Sequence, residues 1–501
     1  MPPQLLSLLF VLLLFLQVAH PVTAATSPTT TTTTLAANAE PHNSFASASS
    51  SSNLKRLLSQ VQDHQADANR LISQVTRGAA KHQAYNRLAE FTDTFGNRLC
   101  GSPRLERSID YLLAVMRAEG LENVHGEEVT VPRWERGREH AKLIFPQQKE
   151  LAMLGLGNSI ATPKEGILAE AIVVSSFDEL HALGPKNCSG KIVVFNQYCD
   201  WEKEPVACYG KTVNYRSRGA TEASKVGALA SLIRTVGGFS INSPHTGMQT
   251  YGSGVKPIPT ACITIEDAEM LARMQARGQR IVIELYMEAR TLPSTISRNI
   301  VAEIRGSTHP EEVVLVSGHI DSWDVGQGAM DDGGGAFISW QVLSLLKQLQ
   351  MRPKRTVRLV MWTCEEFGGV GSHQYFQQHQ SNASNYDLVM ESDLGVFRPL
   401  GIEFTGSESA MKVMKQVGSL LKSINTSLVT TGGEGTDIGW WMNIGVPGAS
   451  LANEAERYFW FHHSNGDTMT VLDPDDMDLC SATWAVTAFV VADLDDMLPR
   501  R

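Results

Sequence analysis

The sequence has little cysteine and no surplus of positive charge. Seven cysteines are spread over 501 residues, and no two of them form a C-x-x-C pair. A small disulfide scaffold, a structural zinc knuckle and a thioredoxin-type redox site are therefore excluded. The formal net charge is −10 at pH 7. Because nucleic acids and acidic membranes attract broad basic surfaces, we expect neither as a partner.

Long hydrophobic runs are absent after the N-terminus, and we expect no membrane span. Leu5 to Val18 is almost entirely apolar but shorter than the ~20 residues that cross a bilayer. Val22-Thr23-Ala24 supplies the small residues of a signal-peptidase site. Residues 1–24 are therefore predicted to be a cleaved secretory signal, the alternative being a membrane anchor. We expect a secreted or extracellular protein, with the endoplasmic reticulum, Golgi and lysosome as further compartments.

Apolar residues are also scarce in residues 25–53, where Thr, Ser, Ala and Asn dominate. Such a segment buries too little apolar surface to offset its ordering entropy, so we predict a disordered leader or propeptide. A secretory route agrees with three N-x-S/T sequons, which make Asn187, Asn382 and Asn425 candidate glycosylation sites.

Two of the seven cysteines lie close together. Cys199 and Cys208 bracket a charged segment that contains a proline, and in an oxidising compartment we expect them to form a disulfide. Cys364 precedes an acidic pair, and we interpret it as a small buried hydrophobic residue.

The hydrophobic pattern changes twice along the chain. Residues 54–121 show helical spacing, residues 153–287 consist of short β-rich runs, and strands and amphipathic helices alternate after Arg298. We predict an α/β protein with a mixed central sheet, helices on both faces and an inserted β-rich domain. Residues 54–152 and 291–501 would form the main domain, and residues 153–290 the insertion. The predicted elements of the last part are strands at Val313–Val316, Val357–Trp362 and Asp387–Met390, a helix at Ala336–Leu349 and a last amphipathic helix at Ala482–Leu494.

Acidic and histidine residues follow the predicted strands. In open α/β sheets, ligands bind beyond the carboxyl ends of the strands. The residues found there, or in the adjoining loops, are His319, Asp321, Asp331, Asp332, Glu365, Glu366, Glu391, Asp393, His462 and His463. We therefore expect imidazoles and carboxylates to converge at one edge of the sheet.

Imidazole and carboxylate without thiolate form the ligand type of an open catalytic zinc site, although cobalt or manganese suits the same donors. One metal rarely needs so many protein ligands, which favours two metals that share a carboxylate and activate a water. Glu365, adjacent to Glu366, could take the proton from that water. Each pair alone would fit a solvated surface, and Gly333-Gly334-Gly335 could be a flexible turn or a phosphate cradle. The joint placement at successive strand ends favours the dimetal hypothesis.

Five motifs together resemble the co-catalytic zinc exopeptidases, a family that includes bacterial aminopeptidases and glutamate carboxypeptidases. The similarity covers roughly Leu54 to Pro499, and in this family the fold is a zinc exopeptidase fold and the insertion a protease-associated domain. The motifs are Ser317-Gly318-His319-Ile320-Asp321-Ser322, Gly328-Ala329-Met330-Asp331-Asp332-Gly333, Glu365-Glu366-x-Gly368-x-x-Gly371-Ser372, Glu391-Ser392-Asp393 and His463-Ser464-x-x-Asp467-Thr468.

The resemblance implies a role for each matching residue. Glu365 would be the general base and later the acid, and Asp321 would hydrogen-bond the imidazole of His319. The peptide between Asp331 and Asp332 is expected to be cis. The implied metal ligands are His319 and Asp393 for one zinc, Glu366 and His463 for the second, and Asp331 as the bridge between the two Zn²⁺ ions.

The sequence departs from some relatives at the position before the last histidine ligand. They have Tyr there to stabilise the oxyanion, whereas this chain has His462. His462 or nearby Tyr458 could donate to the tetrahedral intermediate, the alternative for His462 being structural packing. Asp437, in a polar loop, is a candidate contact to a substrate terminus. Trp440 and Trp441 could wall the substrate pocket or pack in the core.

The sequence thus predicts a secreted di-zinc exopeptidase that hydrolyses dipeptides or short peptides as a carboxypeptidase or dipeptidase. By analogy with relatives we expect a homodimer. An aminopeptidase on the same scaffold remains an alternative, because the sequence does not tell which peptide terminus is bound. A single-zinc glutaminyl cyclase would not need two ligand sets, and a receptor-like binding protein would not need Glu365.

Overall fold

The computed structural model describes residues 43–500, so the predicted signal peptide and the first part of the leader lie outside the described residues. Within this range, no helix has both the length and the apolar character of a membrane span. The helices are α1 (Asn43–Asp63), α2 (Gln65–Thr76), α3 (Gln83–Phe95), α4 (Pro103–Glu119), α5 (Phe177–Cys188), α6 (Pro205–Lys225), α7 (Ile265–Ala276), α8 (Gly334–Gln348), α9 (Val370–His379), α10 (Glu408–Ser419), α11 (Gly439–Asn443), α12 (Tyr458–Phe461) and α13 (Pro474–Asp493). The strands are β1 (Glu122–Glu135), β2 (Glu139–Phe145), β3 (Lys149–Leu151), β4 (Met153–Gly155), β5 (Ile167–Val174), β6 (Ile192–Phe195), β7 (Ala230–Arg234), β8 (Thr260–Ile263), β9 (Val282–Met287), β10 (Arg290–Ile304), β11 (His309–His319), β12 (Arg355–Trp362), β13 (Tyr386–Glu391), β14 (Pro399–Thr405), β15 (Leu428–Thr431) and β16 (Gly448–Asn453).

Four helices precede the first strand, as the helical spacing of residues 54–121 predicts. The hydroxyl of Ser102 accepts a hydrogen bond from the backbone N–H of Leu105 at 3.2 Å and caps α4, whose first residue is Pro103. Helix α1 begins at Asn43, so the last part of the predicted leader or propeptide, residues 43–53, is helical. The amphipathic turns around Leu57 extend into a stretch rich in Ser and Ala, which tolerates helix.

The main sheet has eight strands in the order β1-β10-β12-β11-β13-β16-β14-β15. Its centre is parallel, because β11 pairs in parallel with β12 and β13, and β13 with β16. Helices α8 and α13 pack on one face and α9 and α11 on the other. The predicted fold class is confirmed. The last helix is buried on almost every face rather than amphipathic, because it lies between the sheet and α2.

A second eight-stranded sheet, in the order β3-β2-β9-β5-β6-β7-β8-β4, forms what we call the second module, residues 139–287. It begins at Glu139, earlier than residue 153, and it contains helices α5, α6 and α7 as well as strands. The sequence did not reveal α6 because its buried positions include Thr212, Arg216 and Gly219, which give no apolar period.

A long antiparallel pair connects the two sheets. Strands β1 and β10 run side by side from Glu122 opposite Glu303 to Glu135 opposite Arg290. The chain therefore enters the second module after β1 and leaves it just before β10. Trp323, Cys364 and Phe367 of the main domain belong to the apolar cluster that fills this module, so the two parts share a core.

Two disulfides are present, Cys199–Cys208 and Cys100–Cys364. The first was predicted. The second corrects the interpretation of Cys364 as an unpaired buried residue. Its two cysteines are 264 positions apart, and the fold alone brings the loop before α4 to the end of β12.

Candidate active site

The residues singled out by the sequence meet at the carboxyl edge of the parallel strands. His319 is the last residue of β11, Glu365 and Glu366 follow β12, and Asp393 follows β13. The other residues come from loops: Asp331 lies just before α8, and His462 and His463 just after α12. The site is thus assembled from strand ends, as expected for an open α/β sheet.

Asp331 stands between two groups of side chains. Its Oδ1 lies 3.2 Å from Nε2 of His319, which is itself 3.4 Å from Oδ1 of Asp393. Its Oδ2 lies 3.3 Å from Nε2 of His463, which is 3.0 Å from Oε2 of Glu366. Each carboxylate oxygen of Asp331 therefore faces a different pair of side chains, and each pair consists of one histidine and one acidic residue.

Several of these atoms lack hydrogen-bond partners. Oδ2 of Asp331 and Oδ1 of Asp393 are buried and accept no hydrogen bond from the described part of the chain. Unpaired buried carboxylate oxygens are costly unless a cation satisfies them. Potential ligand atoms of His319, Asp331 and Glu366 all lie within 4.8 Å of one another. The donors are imidazole and carboxylate, so they fit a zinc centre.

The pKa values of the side chains also indicate that the site needs bound cations. Burial, reinforced by neighbouring carboxylates, raises the pKa of Glu365 and of Glu366 well above the ordinary value. Burial lowers the pKa of His319, but Asp393 and the other acidic side chains outweigh it and leave this pKa well above its ordinary value. Divalent cations would balance this concentration of negative charge.

Asp321 organises two parts of the site. Its backbone oxygen lies 3.0 Å from Nδ1 of His319, closer than its carboxylate at 3.7 Å. The carboxylate instead accepts hydrogen bonds from the backbone N–H groups of Glu365 at 3.0 Å and Glu366 at 3.4 Å. It thereby holds the segment that carries the predicted general base. Oε2 of Glu365 lies 3.9 Å from Nε2 of His319.

The loop that carries Asp331 is held by carboxylates from both sides. Asp467 accepts hydrogen bonds from the N–H groups of Ala329, Met330 and Asp331. Asp332 accepts hydrogen bonds from the N–H groups of His319 and Gly335, and its peptide bond to Asp331 is cis.

The three glycines that follow Asp332 have a packing role. A Cβ at Gly335 would collide with the backbone oxygen of Ser392. The Gly333-Gly334-Gly335 run therefore permits the close approach of two loops, and the phosphate cradle considered for it is not needed to explain it.

Arg98 is a residue that sequence analysis missed. It is fully buried, and its guanidinium donates to the carbonyl oxygens of Ile320, Gln327 and Gly328 at 2.7–2.8 Å. Burial lowers its pKa to about 10, against the opposing effect of Asp467 and other carboxylates. A single arginine between two helices has no sequence signature, and its role is apparent only in the fold.

His462 and Tyr458 both lie beside Asp331. Nε2 of His462 is 3.5 Å from Oδ2 of Asp331, its ring stacks on that of His463, and its Nδ1 has no hydrogen-bond partner among the described residues. Burial lowers the pKa of His462 to about 3 and raises the pKa of Tyr458 well above its ordinary value. Both groups are therefore neutral near pH 7, and both can donate a hydrogen bond.

Asp437 is buried rather than displayed on a loop surface. Its backbone N–H donates to Glu391 at 3.0 Å, while both of its carboxylate oxygens lack hydrogen-bond partners in the described chain. Burial raises its pKa to about 7. Trp441 stacks on Tyr386 in the core, so core packing is the correct interpretation for this residue.

The comparisons with known proteins agree with this geometry. A model described as Peptidase family M28 matches residues 299–488, which include the whole cluster of acidic and histidine residues. The chain is 58% identical over 433 residues to carboxypeptidase Q of Bos taurus, an alignment that covers 86% of this chain and 90% of the relative.

Solved structures show the same architecture. A Peptidase M28 precursor from Shewanella amazonensis superposes with a TM-score of 0.83 at 30% identity and covers 88% of this chain and 99% of its own. A zinc aminopeptidase from Bacillus subtilis has a TM-score of 0.61 at 20% identity, covering 83% of this chain and 98% of its own, and shares the fold. The chain therefore belongs to peptidase family M28, in the group named carboxypeptidase Q, and it is a zinc metallopeptidase.

Proposed function

We propose that this enzyme is a di-zinc exopeptidase that hydrolyses dipeptides and short peptides, acting as a carboxypeptidase or dipeptidase. The observation that carries the proposal is the position of Asp331, whose two oxygens face separate pairs of histidine and acidic side chains at 3.2 and 3.3 Å. The name carboxypeptidase Q, given to relatives that are 58% identical, supports the carboxypeptidase assignment.

The chain supplies two sets of ligands. His319 and Asp393 would hold one zinc, Glu366 and His463 the second, and Asp331 both. Bound zinc would lower the pKa of a water molecule and polarise the scissile carbonyl. In both histidines Nδ1 faces a backbone oxygen, that of Asp321 at 3.0 Å from His319 and that of Thr246 at 3.2 Å from His463. An acceptor at Nδ1 would favour metal binding through Nε2.

The proton chemistry is assigned to Glu365. Its Oε2 lies 3.9 Å from Nε2 of His319, and the Asp321 carboxylate accepts its backbone N–H at 3.0 Å. Glu365 would take the proton from the attacking water and deliver it to the leaving amine, as general base and then general acid. His462 or Tyr458 would donate a hydrogen bond to the oxygen on which negative charge develops.

The peptide terminus that is bound decides between a carboxypeptidase and an aminopeptidase. An aminopeptidase remains the second candidate, because the unpaired buried carboxylate of Asp437 could attract an α-amine. Dipeptides with free ends, with an N-acetyl group or with a C-terminal amide separate the two. Loss of cleavage on amidation supports the carboxypeptidase, and loss on acetylation supports the aminopeptidase.

We also propose that the enzyme is a secreted glycoprotein and that the second module, residues 139–287, is the protease-associated domain expected at residues 153–290. Asn187, Asn382 and Asn425 are all exposed, which glycosylation requires. A mass decrease after treatment with a peptide N-glycosidase would support glycosylation. The homodimer expected from relatives would be tested by light scattering.

The central experiment combines metal content with hydrolysis. We expect about two zinc ions per chain, as a paired-metal mechanism requires, and loss of hydrolysis in Glu365→Gln with both ions retained. Glu366→Gln is the matched comparison, since it removes a proposed ligand and should lose zinc. A well-folded enzyme that cleaves peptides with one zinc, or an active Glu365→Gln variant, would overturn the proposal.

A further inference from the structure

The second module touches the metal site through the backbone of Thr246. The N–H of Thr246 donates to the backbone oxygen of His463 at 2.8 Å, and Nδ1 of His463 lies 3.2 Å from the backbone oxygen of Thr246. Nη1 of Arg216 also lies 3.3 Å from Nδ1 and could donate to it. Nε2 of His463 faces Glu366 and Asp331, however, and a metal bound at Nε2 leaves Nδ1 to carry the ring proton and donate it to the Thr246 carbonyl. Two hydrogen bonds thus join the backbone of Thr246 to one histidine.

Thr246 is itself held firmly in place. It is fully buried, and its hydroxyl donates to the backbone oxygen of Gly155 at 2.8 Å. Arg136 donates to the same hydroxyl at 3.3 Å, and Arg216 donates to the Thr246 carbonyl at 3.4 Å. The Thr246 peptide is therefore anchored from its side chain and from its backbone.

The same anchors reach back to the main domain. Nε of Arg136 donates to Asp324 at 2.7 Å, and Asp324 lies in the loop between His319 and Asp331. In that loop the Trp323 ring lies 5.6 Å from the His463 ring, and Gly157 packs directly against Trp323, because a Cβ there would collide with the indole. The contact to His463 is part of a continuous interface.

We infer that the second module is a working part of the zinc centre: Thr246 fixes the orientation and tautomer of His463, and zinc binding is coupled to the docking of the module. The inference rests on the proposed role of His463 as a zinc ligand. Groups that bind the second nitrogen of a ligating histidine raise metal affinity, and their loss typically weakens it about 10–100-fold. Coupling between two events is reciprocal, so zinc must also stabilise the docked module.

The first test measures zinc affinity in Thr246→Val, which keeps the shape of the side chain and removes its hydroxyl. The hydroxyl anchors the Thr246 backbone but is not the group that contacts His463. We therefore expect one of two zinc ions to bind about 10-fold more weakly, at the low end of the usual range, in a competition with a chelator. Thr246→Ser should restore the wild-type affinity. Thr162→Val is the matched control, because Thr162 is a buried threonine of the same module whose hydroxyl also contacts backbone, at Met287, and its zinc affinities should be unchanged.

The second test measures hydrogen exchange in the wild-type enzyme with and without zinc. Removal of zinc should speed exchange in peptides that cover residues 244–250, while the core strand β6 of the same module should be unaffected. If the wild-type enzyme binds no zinc, the proposed function and this inference are overturned together. This inference alone is overturned if the wild type binds two zinc ions and Thr246→Val binds both with the same affinities. It is also overturned if the rate of hydrogen exchange at residues 244–250 does not depend on zinc.

Discussion

The carboxylate of Asp467 holds the backbone of Asp331. Oδ2 of Asp467 accepts the N–H of Asp331 at 3.2 Å, and its Oδ1 accepts the two preceding N–H groups at 2.7 and 3.0 Å. Asp467 touches none of the atoms that face the two pairs of ligands. It fixes the peptide units that carry Asp331, the proposed bridging residue, and so links a remote carboxylate to the proposed metal site.

Asp467→Asn tests this link. An amide has a single acceptor oxygen, and its NH₂ group would face an N–H that it cannot accept. We expect a loss of about 1–3 kcal/mol in the free energy of unfolding, the usual cost of a buried donor left without an acceptor, together with reduced zinc content. Urea unfolding and metal analysis measure the two effects.

Asp473→Asn is the control for Asp467→Asn. Asp473 also accepts hydrogen bonds from two backbone N–H groups, at the start of α13, but it is remote from Asp331. Because Asn caps a helix about as well as Asp, this variant should keep nearly the wild-type free energy of unfolding and keep its zinc. Normal zinc content in Asp467→Asn would contradict the positioning role.

The Cys100–Cys364 disulfide tethers the residue that precedes Glu365. Cys364 has a φ of +60°, a conformation that a residue with a side chain adopts at a cost of about 1–3 kcal/mol unless its surroundings hold it. We expect the Cys100→Ala, Cys364→Ala double variant to lower kcat more than it changes KM, because Glu365 loses its fixed position while substrate contacts remain. Zinc should be retained.

The Cys199–Cys208 disulfide gives a matched comparison for stability. In the chain-entropy description a disulfide stabilises by about 3 kcal/mol for a short loop and about 5 kcal/mol for one of more than a hundred residues. Cys199 and Cys208 are 9 positions apart, whereas Cys100 and Cys364 are 264 apart. The free energy of unfolding should therefore fall less in the Cys199→Ala, Cys208→Ala double variant than in the Cys100→Ala, Cys364→Ala double variant.

The tether itself is judged by kcat. Unchanged kcat in the Cys100→Ala, Cys364→Ala double variant would show that the disulfide does not position Glu365.

His462 and Tyr458 are the two candidate donors to the oxyanion. Removal of such a donor typically lowers kcat about 10²–10³-fold. We expect this loss in His462→Phe, measured by steady-state kinetics, with both zinc ions kept. Zinc loss would instead identify His462 as a ligand, since its atoms can reach a metal together with Asp331 and His463.

Tyr458→Phe is measured in parallel with His462→Phe. Both substitutions keep an aromatic ring, so they preserve packing and remove only the donor. If His462→Phe has the wild-type kcat and Tyr458→Phe does not, the donor is Tyr458. Wild-type kcat in both variants would remove both residues from the mechanism.

The sequence revealed the elements whose residue types are dictated by their surroundings. The central strands were predicted because parallel strands buried on both faces require continuous apolar runs, as in Val313–Val316. Helix α6 was missed, since Arg216 and polar or small residues occupy its buried face. Strand β1 was missed because half-buried positions along it show no strict alternation.

In the candidate site, too, the residues that could be predicted are those whose type is dictated by their role. Ligand atoms must be imidazole nitrogens or carboxylate oxygens, so residues such as His319 and Glu366 could be recognised in the sequence. The guanidinium of Arg98 binds backbone carbonyl groups of the loops that carry the site, and Thr246 contacts His463 through its own backbone. Every residue has a backbone carbonyl group, and all except proline have a backbone N–H, so contacts to these groups cannot be recognised in a sequence. The Cys100–Cys364 pairing was hidden for a related reason, because it depends on the complete fold.

Asp387 is a buried carboxylate away from the metal site. Its Oδ1 accepts the N–H of Leu498 at 2.7 Å, and its Oδ2 has no hydrogen-bond partner in the described chain. Burial raises its pKa from 3.8 to about 7, despite the opposing effect of Arg355. Between these two pH values the folded state binds more protons than the unfolded state, so this group makes the protein less stable as the pH rises.

Asp387→Asn should remove that pH dependence, since an amide does not titrate and can still accept the N–H of Leu498. The free energy of unfolding of the wild type, relative to the variant, should fall as the pH rises from about 4 to about 7, by up to about 1.4 kcal/mol per pH unit, and then level off. Urea unfolding of both zinc-free proteins across this range measures the difference, and zinc-free samples exclude the pH dependence of metal binding. A difference that stays constant with pH would show that Asp387 is ionised throughout, held in that state by Arg355 in spite of its burial.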